Sequence, residues 1–180
     1  MAIDLKKEKH YTFEEYLEIG DGHRYEMIDG LLYMMSSPSD LHGAISVRLI
    51  TQLSNFLEGK TCEVRHDENT RLWESRDTVY IPDIWVVCDT SKINHNGCVG
   101  APDLIIEIVS PSSISMDYLI KLNDYRRSGV KEYWIVDPAE KKVFVNILKE
   151  DEYQLNVYPF NNPINVTVLP GCQIDLSKFR

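Results

Sequence analysis

The sequence predicts an α/β (α+β) fold, a mixed central sheet flanked by helices with additional C-terminal strands, and three observations lead there. A capped helix comes first, then several short strands rich in β-branched and aromatic residues, then a further helix and more strands. The run Leu104-Ile105-Ile106-Glu107-Ile108-Val109 is apolar on both faces of its period-two alternation apart from Glu107, as in a buried strand. The chain has 180 residues, 43% of them hydrophobic, and shows no repeats, low-complexity tracts or linkers. One domain spanning residues 1–180 is the expectation.

Taken in order, Thr12-Phe13-Glu14-Glu15 is a capping-box pattern that opens a short helix through about Ile19. Arg24 to Ile28 and Leu31 to Met35 flank Asp29-Gly30, the strongest hairpin signal in the chain. Ser39 or Asp40 then caps a longer helix whose Leu41, Ile45, Leu49 and Leu53 form a core-facing stripe. Two or three strands lead from Cys62 through Trp73 to Val87, and the polar segment 89–102 connects them to the strand that carries Glu107. A helix follows from about Ile114 to Ser128, with hydroxyl caps in the Ser-Pro-Ser-Ser run before it and Gly129 as its stop. Glu132 to Val136 and Val143 to Leu148 form a hairpin across Asp137-Pro138-Ala139-Glu140, and Tyr153 to Tyr158 and Val166 to Leu169 are further strands. Trp73, Trp85 and Trp134 belong to strands and read as core.

Glu107 is the residue that asks for an explanation. A carboxylate in an apolar strand costs several kcal/mol or more unless a metal, a cation or a proton compensates it. Asp83 stands at the start of Ile84-Trp85-Val86-Val87, and antiparallel pairing of the two strands across 89–102 brings both carboxylates roughly level. On the following helix Asp117, Lys121 and Tyr125 fall four apart, on one side. Glu107 lies about 10 Å from its strand's end at ~3.3 Å per residue. Lys121 lies about 10 Å into its helix at ~1.5 Å per residue. A helix folding back along its strand sets the two side by side. Two carboxylates able to hold a divalent cation and an ammonium able to orient a water or neutralise charge on a phosphate form the candidate constellation.

Pro82-Asp83, then Pro102-Asp103-Leu104-Ile105-Ile106-Glu107-Ile108-Val109-Ser110-Pro111-Ser112, then Asp117, Lys121, Tyr125 and the run from Gly129 to Pro138 resemble the Uma2 family of restriction endonucleases, a branch of the PD-(D/E)XK nuclease superfamily. Tyr25-Glu26-Met27-Ile28-Asp29-Gly30 and the helix opening around His42 are similar as well, so the resemblance covers nearly the whole chain. It implies a restriction-endonuclease-like fold and a Mg²⁺-dependent nuclease, with Mn²⁺ as a possible substitute and nucleic acid, DNA foremost, as substrate. It also implies Asp83 and Glu107 as metal ligands and Lys121 as the catalytic lysine. The superfamily signature places that lysine two residues after the glutamate, where this chain has Val109, so Lys121 stands as a migrated lysine.

Several residues keep two readings. Asp83 is either a ligand or a strand-entry acid, and Lys121 is either catalytic or a helix partner of Asp117. Glu26 either faces solvent or adds a third acid to the same cleft. His42 either touches a phosphate or has a surface or capping role, and Tyr125 either packs or lines the site.

The net charge of −9 runs against the basic footprint usual for nucleic-acid binding. Lys121, Arg126, Arg127 and Lys131 offer a local exception or simply a solvated face, and tight DNA binding by a lone subunit is not expected. A non-cleaving, oligomeric binding or regulatory module on the same fold is therefore the alternative. No apolar stretch approaches the ~20 residues of a membrane span, and Met1 to Lys9 lacks a signal-peptide core, so a soluble cytoplasmic protein is expected. Cys62, Cys88, Cys98 and Cys172 show no Cys-x-x-Cys pair and read as free thiols, and the histidines lack zinc-ligand spacing. The strands after Val143 offer edges for a homodimer.

Overall fold

The computed structural model describes residues 9–109 and 116–179, with side chains at all of these except 116–118. Helix α1 (Phe13–Leu17) opens with the expected capping box: Glu15 N–H donates to Thr12 Oγ1 at 3.2 Å and Thr12 N–H to Glu15 Oε2 at 3.0 Å. Strands β1 (Tyr25–Ile28) and β2 (Leu31–Met34) form the hairpin, turning through Asp29 and Gly30 at φ 48° and 78°. Two consecutive positive φ values are what an Asp-Gly turn supplies at least strain.

Ser39 caps α2 (Asp40–Leu57) by accepting from His42 N–H at 3.2 Å. Its buried stripe is Ile45, Leu49, Leu53 and Leu57, whereas Leu41 is 47% exposed. The buried stripe thus begins one turn later than expected, at Ile45, and extends to Leu57. Next come β3 (Glu63–Arg65), β4 (Thr70–Arg71), β5 (Ile84–Val87), β6 (Ile93–Asn94), β7 (Gly97–Val99) and β8 (Leu104–Ile108). The connection at 89–102 holds the short β6 and β7, which join β4 in a small sheet of order β4-β7-β6.

A π-helical segment, Met116–Lys121, runs directly into α3 (Leu122–Ser128), which stops at Gly129 with φ 90°. The hydroxyl caps at 110–113 and the expected helix start at Ile114 lie outside the described residues. After α3 follow β9 (Glu132–Asp137), β10 (Lys142–Lys149), β11 (Glu152–Pro159), β12 (Ile164–Asn165) and β13 (Gln173–Ile174). The strand expected over Val166 to Leu169 is not formed. Val166 N–H bonds the Cys172 carbonyl and Leu169 N–H the Val166 carbonyl, so these buried apolar residues make a packed turn between β12 and β13. Hydrophobicity alone cannot separate a buried turn from a buried strand.

The main sheet is mixed, in the order β11-β10-β9-β8-β5-β3, with β8 and β9 parallel and the other neighbours antiparallel. Its two faces carry separate cores. Ile84, Val86, Leu104, Ile106 and Ile108 pack with the α2 stripe, while Trp85, Val87, Ile105, Val109 and Ile135 pack with Tyr125 and Tyr133. Trp85 and Trp134 are fully buried as expected, while Trp73 lies beyond β4, outside any strand, and is only partly buried. Among the described residues no helix is long and apolar enough to cross a membrane.

The thiol expectation is corrected at one pair. Because β3 pairs with β5 at Glu63↔Val87, the next residues outward, Cys62 and Cys88, fall opposite each other and form a disulfide, while Cys98 and Cys172 are free and buried. Sequence spacing is silent on this, since the partnership depends on strand register. Removing it with a Cys62→Ser, Cys88→Ser double variant is expected to lower the unfolding free energy by about 3.5 kcal/mol, the loop-closure scale for partners 26 residues apart. Urea titrations of wild type and variant check this.

On the α2 side, Glu132 is fully buried and accepts hydrogen bonds from Trp134 Nε1–H at 2.7 Å and Val168 N–H at 2.9 Å, which ties the turn after β12 to the sheet. Burial pushes its pKa up from the ordinary 4.5, against the lowering effect of those donors. A raised folded-state value means that the folded chain binds the proton more tightly. Its contribution to stability is therefore full below 4.5 and is lost as pH rises through the folded value. Relative to Glu132→Gln, wild type should lose stability across that window and then level off. Denaturant titrations of both proteins from pH 4.5 upward read the difference, and a flat difference contradicts it.

Candidate active site

The antiparallel register of β5 and β8, Ile84↔Ile106, sets the next pair outward, Asp83 and Glu107, directly opposite each other. They share the face that carries Trp85 and Ile105. The two acids also brace each other's backbone: Ile108 N–H donates to Asp83 Oδ2 at 2.7 Å, and Asp83 N–H approaches Glu107 Oε2 at 3.4 Å.

Lys121 ends the π-helical segment and Tyr125 follows four residues later, on the same side of the helix. The Lys121 ammonium lies 3.0 Å from Glu107 Oε1 and 2.9 Å from Glu26 Oε1, with all three side chains less than a tenth exposed. Tyr125 O–H donates to Glu107 Oε1 at 2.9 Å, and Ile81 N–H donates to Glu26 Oε1 at 2.9 Å. Glu26 reaches the cluster because Met27 and Val79 exchange backbone hydrogen bonds, which hold β1 against the segment leading to Asp83. Of its two sequence readings, the structure therefore shows the inward one. The reading of Lys121 as a partner of Asp117 lies outside the described side chains.

His42 Nε2 sits 3.1 Å from Asp83 Oδ1. Its pKa is raised, first by the hydrogen bond to Asp83, against the opposing effect of burial, with help from the Asp83 and Asp67 charges and the Ile108 backbone. Tyr125 is held well above its ordinary range, chiefly by burial and then by the Glu107 and Glu26 charges. Tyr80 completes the wall: its O–H donates to Asp124 Oδ2 at 2.7 Å, and its ring packs edge-on to Tyr125.

All four residues singled out from the sequence, Glu26, Asp83, Glu107 and Lys121, thus come together. The spacing had left open the hydroxyl that Tyr125 gives to Glu107, although its position four residues after Lys121 carried the signal. The contact between His42 and Asp83 had no local signal, because it joins α2 to the start of β5. Two of the basic residues on or after α3 are engaged by acidic segments of the chain itself. Arg126 bonds Glu152 and the Asp151 carbonyl, and Lys131 lies 2.6 Å from Asp103.

Carboxylates are the donors of hard cations such as Mg²⁺ and Mn²⁺, which bind through one or two protein carboxylates and complete their shells with water and phosphate. Among the described residues no group of three or more His, Cys, Asp or Glu is placed to hold a metal. The donor set at Asp83 and Glu107 fits the two-carboxylate pattern, and not a closed zinc site.

Fold and site together define a restriction-endonuclease-like protein. The structure matches the crystal structure of a "putative nuclease" belonging to DUF820 from Anabaena variabilis, with a TM-score of 0.76 over 94% of this chain and 97% of that one, at 20% identity. The chain belongs to the Uma2 family, described as "Putative restriction endonuclease", whose model matches residues 12–177. An uncharacterized protein of Synechocystis sp. is 33% identical over 133 residues, covering 72% of this chain and 70% of its own length.

Replacing Tyr125 by Phe removes one buried donor from Glu107 and leaves Lys121 in place. A loss of about 1.5–3 kcal/mol in unfolding free energy is expected, the scale of a hydrogen bond to a charged group. Equilibrium denaturation measures it, and an unchanged midpoint would mean that the hydroxyl is not a structural partner of Glu107.

Proposed function

We propose that this chain is a Mg²⁺-dependent endonuclease, able to use Mn²⁺, that hydrolyses phosphodiester bonds in nucleic acid, with DNA as the substrate. One observation carries the reading: Asp83 opposite Glu107 across β5 and β8, with the Lys121 ammonium 3.0 Å from Glu107. Asp83 and Glu107 would hold the metal, which when bound supplies Lewis acidity and a lowered pKa for water. Lys121 orients the attacking water or stabilises charge on the phosphate oxygens. Glu26 positions Lys121 from the far side, and Tyr125 fixes the Glu107 carboxylate. With the ammonium carried by a helix and not by the strand itself, Lys121 does the work expected of a lysine at Val109.

The domain spans residues 1–180 in this reading and works as a two-fold dimer. β11, at the edge of the main sheet, offers a strand for pairing, and two sites would serve the two strands of a duplex. The rival is a non-cleaving binding or regulatory module. It is favoured by the net charge of −9 and by the acidic partners already held by Arg126 and Lys131.

A cleavage assay on DNA and RNA with Mg²⁺ or Mn²⁺ decides between them, run with Glu107→Gln and Lys121→Gln variants whose folding is checked by circular dichroism. The nuclease reading expects both substitutions to reduce cleavage by on the order of 100-fold or more. No cleavage by wild type, or equal cleavage by all three proteins, favours the binding module.

A further inference from the structure

We infer that His42 is a built-in competitor for the metal, occupying the Asp83 oxygen that a divalent cation takes and leaving the site when the cation binds. The inference rests on the metal reading of Asp83 and Glu107 above. Its starting point is how the two oxygens of Asp83 are used. Oδ2 is bonded by the backbone N–H of Ile108 at 2.7 Å, a contact made by the sheet itself. Oδ1 is the oxygen left for chemistry, and His42 Nε2 meets it at 3.1 Å. Because Asp83 is itself braced by Ile108 N–H, the imidazole lies against the point where the two acid-bearing strands meet.

Two features make His42, and not Lys121, the group that gives way. Lys121 is 7% exposed and bridges two buried carboxylates, so moving it would strand both. His42 is 19% exposed and stands in the first turn of α2, beside the exposed Leu41 and outside the buried stripe that begins at Ile45. A change of rotamer takes its ring towards solvent without opening the core. The placement also has a chemical logic. Without metal, the Lys121 ammonium answers Glu26 and Glu107, and an N–H donor on Asp83, which stands directly opposite Glu107, limits the cost of bringing the two strand acids together. With metal bound, that donor would compete for the same oxygen.

Calorimetric titration of Mn²⁺ into the full chain, supported by electron paramagnetic resonance of free Mn²⁺, tests this on wild type, His42→Ala, His42→Gln and Asp83→Asn. Relieved of its competitor, His42→Ala should bind Mn²⁺ about tenfold more tightly than wild type, the scale of one hydrogen bond to a charged group. His42→Gln keeps a weaker donor and should fall between the two. Equal or weaker binding by His42→Ala, with binding lost in Asp83→Asn, overturns the competitor while leaving the metal site standing, and makes His42 a supporting group or a ligand. Binding retained in Asp83→Asn, or absent from every protein, overturns the metal site and the competitor together.

Discussion

Three carboxylates converge at the rim of a buried sheet, and the Lys121 ammonium between Glu26 and Glu107 is what makes that convergence tolerable. Removing one partner of a buried ion pair typically costs about 3–5 kcal/mol, because the other charge is left without compensation. Much of the local architecture can be understood as serving this contact. The π-helical segment and α3 deliver Lys121 and Tyr125 from one side, and the β1–β2 hairpin delivers Glu26 from another. The β5–β8 register then fixes Asp83 and Glu107 as neighbours, a constraint that no side-chain rotamer can undo.

Electrostatics here is local. A chain with a net charge of −9 does not gather phosphates by its overall field, and Arg126 and Lys131 near α3 are bound to acids of their own. What the site offers is short-range. Tyr125 bonds Glu107, the Tyr80 ring centroid lies 5.8 Å from the Lys121 ammonium, and the buried setting of Glu26, Glu107 and Lys121 strengthens each charge–charge contact among them.

Much of this was legible in the sequence, and for identifiable reasons. Glu107 stood out because one acid interrupts an apolar strand, and Lys121 because strand rise and helix rise bring the two level. The Asp29-Gly30 turn, the Thr12 capping box and the Gly129 stop follow from local chemistry, and all three formed. What stayed hidden depends on tertiary register or layer contact. The Cys62–Cys88 pairing needs the alignment of β3 with β5, the His42–Asp83 contact needs α2 to cross the end of β5, and the turn at Val166 to Leu169 is as apolar as a strand. Leu41 failed as a core residue for a related reason, since helical periodicity gives a face but not where the facing layer ends.

The two cores on opposite faces of the sheet have a consequence for how this molecule can vary. α2 belongs to one core and α3 to the other, yet His42 from the first and Lys121 from the second arrive at the same pair of strand acids. The sheet acts as a fixed abutment, and each helical layer is an independent lever against it. Repacking either layer alone would shift one nitrogen relative to the acids while leaving the spacing of the acids intact. Drift in one core can therefore retune the site without dismantling it.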